Sequence, residues 1–275
     1  MGLGAKLDGL TIASVAVVAY CLTNLVHEGL GHGAGCLLGG GKPDVLNAVF
    51  FRCDDDAMSA GGERILVAGG SVANLLFAGV AGVGLRWLRD RPGPLHYFCW
   101  LMLALNLLMP FGYLLFSGLG GFGDWAVFID GLGPQLLLRG ALAAVGGLLY
   151  FVVAPRLVMP GLNVYLGRDA GQRAARARML SLLPYLVGGT TYVIAGLLNP
   201  ESWTLVILSA AAASFGGTSL LAWFPGRADK AFRDAAPEEP ASLDRHPGWI
   251  VLAVAVFAIF VGVFGPGVHV HLGKP

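Results

Sequence analysis

The chain has 275 residues, 56% of them hydrophobic and only 13% charged, with a formal net charge of +1. A mean hydropathy of +0.69 is too apolar for a soluble globular domain of this length, so the composition describes a polytopic membrane protein. The near-neutral charge carries no electrostatic footprint for nucleic acid.

Crossing the hydrocarbon takes about 20 apolar residues. Such windows fall at residues 10–38, 65–88, 96–117, 135–158, 179–198, 203–224 and 249–265. The expected fold is therefore all-α, a single integrated membrane domain of about seven transmembrane helices. Residues 1–134 form its motif-bearing core, and four further helices occupy 135–275. Residues 10–26 have the apolar character of a signal peptide, but no small-x-small cleavage site follows, so the segment reads as a retained helix. With seven crossings, thirteen Lys and Arg fall on one side (6, 86, 89, 91, 156, 168, 173, 176, 178, 227, 230, 233, 245) and five on the other (42, 52, 64, 139, 274). The positive-inside rule then puts the N-terminus in the cytoplasm and the C-terminus outside. The expected location is a plasma membrane, the inner membrane of a bacterium.

The far end of the first helix reads Val26-His27-Glu28-Gly29-Leu30-Gly31-His32. Three ionisable residues within six positions are costly at membrane depth unless paired, hydrated or bound to metal. Metal-binding helices place two histidines four residues apart on one face. Here the separation is five, which on a regular α-helix leaves His27 and His32 roughly 140° apart. A π-bulge or an unwound turn restores their convergence, and Gly29 and Gly31 make either one cheap. The bland reading is two interfacial histidines and a helix-end glutamate. The hexapeptide also resembles the His-Glu-Leu-Leu-Gly-His of soluble dipeptidyl peptidase III.

A glycine-rich run, 33–41, leads to 45–53, which is rich in β-formers and predicts a short extended segment at the membrane surface. Its edge is suited to pairing with an extended peptide, or it merely caps the bundle. Cys36 and Cys53 flank this loop and would form a disulfide in an oxidising compartment. Asp54-Asp55-Asp56 reads as a solvated turn. In the second helix Asn74 is polar at membrane depth and needs a partner inside the bundle. The third helix carries Asn106 and then Pro110, expected to kink or break it. Asp124 follows a flexible glycine-rich run and reads, on its own, as a loop residue or a helix cap.

His27-Glu28…His32, Gly69-Gly70-Ser71-Val72-Ala73-Asn74 and Asn106…Pro110…Asp124 resemble, in order, the three signatures of the site-2 protease family, the M50-type intramembrane zinc metallopeptidases. The resemblance covers about the first half of the chain. It implies zinc held by His27, His32 and Asp124, Glu28 as general base, Asn74 and Asn106 as polar support near the site, and a membrane protein or peptide as substrate. This sequence departs from the family pattern in three ways: one extra residue in the first motif, Ser71 where proline is usual, and Gly123-Asp124 in place of Asp-Gly. Its site also falls near the outer face, whereas the family's usually lies nearer the cytosol.

The second half carries no catalytic signature. Its basic stretch, 168–178, is suited to anionic lipid headgroups, or serves only to fix topology. Residues 227–246 read as a cytoplasmic linker, and His269 and His271 as incidental. Two other functions stay open: a catalytically inactive scaffold or assembly subunit of a membrane complex, and, more weakly, a metal transporter.

Overall fold

The computed structural model describes residues 5–200, 207–231 and 237–270. The start of the window expected at 203–224, and His271, lie outside them. Among the described residues, six helices are long and apolar enough to cross a membrane. They are α1 (Gly9–Gly39), α2 (Ala60–Trp87), α3 (Pro94–Gly120), α5 (Gln135–Leu166), α6 (Gly171–Leu197) and α9 (Pro247–Phe264). A short α4 (Asp124–Ile129) sits between α3 and α5. Between α6 and α9 lie α7 (Ile207–Gly216) and α8 (Leu220–Ala231).

The ends of α6 and α9 show the course of the chain between them. Asn199, just after α6, donates from Nδ2 to Asn47 Oδ1 at one end of the bundle. By Glu238 the chain is at the other end, bonded to Arg168, and the Ala241 amide donates to the Val164 carbonyl beside it. The described part of this segment, α7 and α8, therefore runs back along the bundle beside the six long helices.

α1 and α3 are the central helices, with two-thirds of their apolar windows buried, against about a tenth for α5 and α9. Tyr20, Tyr97, Trp100 and Tyr165 fill the core between them. Each finds a polar partner, as buried phenols and indoles must. Trp100 Nε1 donates to the Val158 carbonyl and Tyr97 Oη to that of Leu180.

The expected extended segment is a hairpin, β1 (Lys42–Leu46) and β2 (Phe51–Asp54), with a bulge between Pro43 and Val45. A third strand, β3 (Val268–His269), pairs antiparallel with β1 and gives the order β2-β1-β3. β2 is thus an edge strand. A disulfide joins Cys36 on α1 to Cys53 on β2, and Asp54, Asp55 and Asp56 are exposed.

Two expectations are corrected. Pro110 does not end the third helix, which runs ten residues further to Gly120. Proline removes the amide that would bond the Asn106 carbonyl, but leaving the helix inside a buried, apolar bundle would strand several backbone groups instead. The reversal comes at Gly121 and Gly123, with φ of 70° and 83°, a left-handed backbone that glycine adopts without a Cβ penalty. The stretch 168–178 is also not uniformly a basic surface. Arg173 and Arg176 are buried, and Arg176 donates to the carbonyls of Ala5, Tyr165 and Ala241, tying three chain segments together. Within this stretch the exposed arginines are Arg168 and Arg178.

Candidate metal centre

The α-helical path of α1 widens into a π-helical turn over Val26–His32. The Gly33 amide reaches the carbonyl of Glu28, five residues back. That spacing stacks residues five apart, so His27 and His32 point the same way and their Nε2 atoms stand 3.2 Å apart. Gly31 is what lets this turn press on α2: a Cβ there would lie 2.5 Å from the Gly70 Cα. Gly29 is under no such constraint, since its Cβ would meet only Leu46 at 3.5 Å.

Both imidazoles are oriented from α2. His27 Nδ1–H donates to Asn74 Oδ1 at 2.6 Å, and His32 Nδ1–H to the Leu66 carbonyl at 2.9 Å. The first tautomer follows from a directional chain. Asn106 Nδ2 donates to Thr23 Oγ1 and the Met102 carbonyl, so its Oδ1 accepts from Asn74 Nδ2 at 2.7 Å, which leaves Asn74 Oδ1 to accept from His27. The second follows because a carbonyl can only accept. With both protons on Nδ1, both Nε2 atoms present lone pairs to the same point.

Asp124, the first residue of α4, completes the group. Its Oδ2 lies 3.5 Å from each Nε2, too long for a hydrogen bond, and this buried atom has no hydrogen-bond partner. α4 is pinned to α2. Trp125 Nε1 donates to Ser71 Oγ at 3.1 Å, and Arg64 donates to the Phe128 and Asp130 carbonyls at its far end. Asp130, at the end of α4, is exposed.

Three electron-pair donors 3.2, 3.5 and 3.5 Å apart form the triangle that a small tetrahedral cation requires. With bonds of about 2.0–2.1 Å, tetrahedral ligands stand roughly 3.3–3.4 Å from one another. An orphaned buried carboxylate oxygen facing two imidazole lone pairs is otherwise unfavourable, so His27, His32 and Asp124 could hold a metal ion. The backbone of α2 forms the back wall. A Cβ on Gly70 would lie 2.6 Å from His27 Nε2 and 2.7 Å from His32 Nε2.

The donors open into a cavity of about 210 Å³ lined also by Glu28, Phe51, Tyr113 and Gly123. Glu28 is buried, with the Phe51 backbone amide beside its carboxyl. The Tyr113 ring packs on His27 at 5.3 Å between centroids. Sequence reasoning missed Leu66, Gly70, Tyr113, Arg64 and the Ser71–Trp125 pair. A carbonyl acceptor and a glycine wall leave no side-chain signature, but Ser71, standing where the resembled pattern has proline, was a visible oddity. Comparison with protein-family models, with curated proteins and with solved structures returned no match to this chain.

Proposed function

We propose that the protein is an intramembrane zinc metallopeptidase of the site-2 protease type, which hydrolyses a peptide bond in or near a membrane segment of a partner protein. One observation carries this reading: two imidazole Nε2 atoms and a partnerless carboxylate oxygen converge with tetrahedral spacing beside a buried glutamate. Two imidazoles and one carboxylate in a tetrahedral arrangement favour zinc among the common divalent ions, and three protein ligands are the catalytic rather than the structural pattern. Bound zinc would supply a Lewis acid at the scissile carbonyl and lower the pKa of a coordinated water to about 7.

The chain's own residues would do the rest. Asn74 and the Leu66 carbonyl keep the imidazole protons on Nδ1 and the rings fixed. Glu28 takes a proton from the attacking water and returns it to the amine nitrogen as the C–N bond breaks. β2, an edge strand whose Phe51 lines the cavity, offers main-chain groups to an extended peptide. The π turn supports an active site because it absorbs the extra residue that sets the first motif apart from the family pattern. The Cys36–Cys53 bond supports an outer-facing site, since disulfides persist in oxidising compartments.

The test is Glu28→Gln, which should keep the metal and abolish cleavage of a co-expressed membrane-segment substrate. Undiminished cleavage refutes the peptidase. A purified protein free of metal that carries a stably bound partner complex would replace it with the scaffold.

A further inference from the structure

A cavity of about 700 Å³ has no part in this centre. It lies at the other end of α2, where Arg86 is twelve residues beyond Asn74, about 18 Å along the helix at 1.5 Å per residue. Its walls come from the end of α2, the start of α3 and the second half of α5. Two chemistries meet there. Leu85, Leu103, Leu157 and Val164 make an apolar floor, while Arg86 and Arg89 stand on the rim.

The charges are not spent elsewhere. Arg86 is exposed and has no hydrogen-bond or ion-pair partner among the described residues. Arg89 touches only its neighbour Asp90, from Nε at 3.2 Å, with both side chains largely in solvent. Trp87, between them, is 89% exposed, an amphipathic ring placed as interfacial tryptophans are. His96, buried on the cavity wall, gives its Nδ1–H to Tyr165 Oη, which itself donates to the Gly93 carbonyl. Its other ring nitrogen is therefore an acceptor. A site with guanidinium donors at the rim, an imidazole acceptor in the wall and hydrocarbon beneath matches one class of molecule.

We propose that this cavity binds an anionic glycerophospholipid whose phosphate sits between Arg86 and Arg89, whose acyl chains lie on the Leu103 and Val164 floor, and whose headgroup hydroxyl reaches His96. An Arg presents a fork suited to phosphate oxygens. A neutral zwitterionic lipid gains less there, because its own ammonium offsets the phosphate charge. The inference is independent of any chemistry at the metal centre.

The full chain, released from nanodiscs of equal phosphatidylglycerol and phosphatidylcholine, is examined by native mass spectrometry. The wild type should retain phosphatidylglycerol preferentially. Arg86→Ala with Arg89→Ala should weaken that retention roughly tenfold or more, from about 1 kcal/mol per basic residue. Arg168→Ala with Arg178→Ala, which removes two other exposed charges, should not change it. Leu103→Trp, which fills the floor and keeps both arginines, should also release the lipid. Unchanged melting temperature and metal content would show that the variants fold. Equal retention of the two lipids by the wild type, or full retention by the Arg86/Arg89 double variant, would overturn the proposal. So would displacement of the lipid by millimolar inorganic phosphate, which would make the site one for free phosphate.

Discussion

Asn74 is where orientation and ligation can be separated. In Asn74→Leu, His27 loses its acceptor at 2.6 Å and Asn106 Oδ1 loses its donor at 2.7 Å. His27 is 1% exposed and Asn106 fully buried, so water replaces neither. Each stranded group costs about 1–3 kcal/mol, which puts the loss of stability at roughly 2–6 kcal/mol before relaxation. The imidazole is then free to put its proton on Nε2. Loss of such an orienting partner typically weakens metal binding 10–100-fold, about 1.4–2.8 kcal/mol. Asn74→Asp keeps an acceptor for His27 Nδ1–H and sacrifices the Nδ2 bonds to Asn106 Oδ1 and the Thr23 carbonyl. Zinc affinity is read by competition with a chromophoric chelator on the purified full chain. It should be similar in the wild type and in Asn74→Asp, and lower in Asn74→Leu. If Asn74→Leu folds and holds zinc as tightly as the wild type, the orienting chain is not what fixes the site. If both variants lose zinc equally, Asn74 acts by packing.

Three further outcomes are expected. Gly70→Ala places a methyl against both Nε2 atoms, so it should eliminate metal binding, measured as zinc per protein, even where helicity is kept. Asp8 caps α1 by accepting from the Thr11 amide at 2.9 Å and meets Arg245 at 3.1 Å. The Thr11 bonds and then Arg245 lower its carboxyl, so its stabilisation is present above the unfolded carboxylate pKa and fades as pH falls through the folded value. Asp8→Ala should therefore cost about 0.5–2 kcal/mol near neutral pH, and the two melting temperatures should converge in strong acid. With the native cysteines replaced, Asp55→Cys should react with an impermeant thiol reagent on intact cells; labelling only after lysis would invert the membrane orientation.

Hydropathy made the spans legible because lipid leaves a helix no other way to satisfy its backbone, and the ends of α1, α2, α3 and α9 lie within a few residues of their windows. What periodicity cannot see is the course of a helix past proline. At Pro110 the buried, apolar surroundings make continuing the helix with one hydrogen bond lost cheaper than interrupting it. Arg173 and Arg176 misled for a related reason: a charge pattern gives the side of the membrane but not whether a guanidinium faces headgroups or caps carbonyls. At the centre, His27, Glu28, His32, Asn74 and Asn106 stood out because polar residues in apolar helices are few, whereas Asp124 reads on its own as a loop residue or cap and was singled out only by the resemblance. Their second partners were not, since Leu66 acts through its carbonyl and Gly70 through having no side chain.

The long first motif is best understood as a solution to packing against α2. Going up α1, residues 27, 31, 35 and 39 meet residues 74, 70, 66 and 62 of α2 going down: His27 bonds Asn74, Gly31 abuts Gly70, Gly35 abuts Leu66 and Gly39 abuts Gly62. Steps of four on both helices keep one face in contact throughout, and the three glycines let the backbones touch. A second histidine four residues after His27 would occupy position 31, where even a methyl group collides with the α2 backbone. Moved to position 32 on a straight α-helix, it would swing away from His27. The π turn resolves both demands, because it leaves Gly31 against α2 and brings His32 back beside His27, on either flank of Gly70. Helix packing and ligand geometry therefore require the extra residue together, and a shortened motif would not recover the site unless Gly70 and its neighbours moved away.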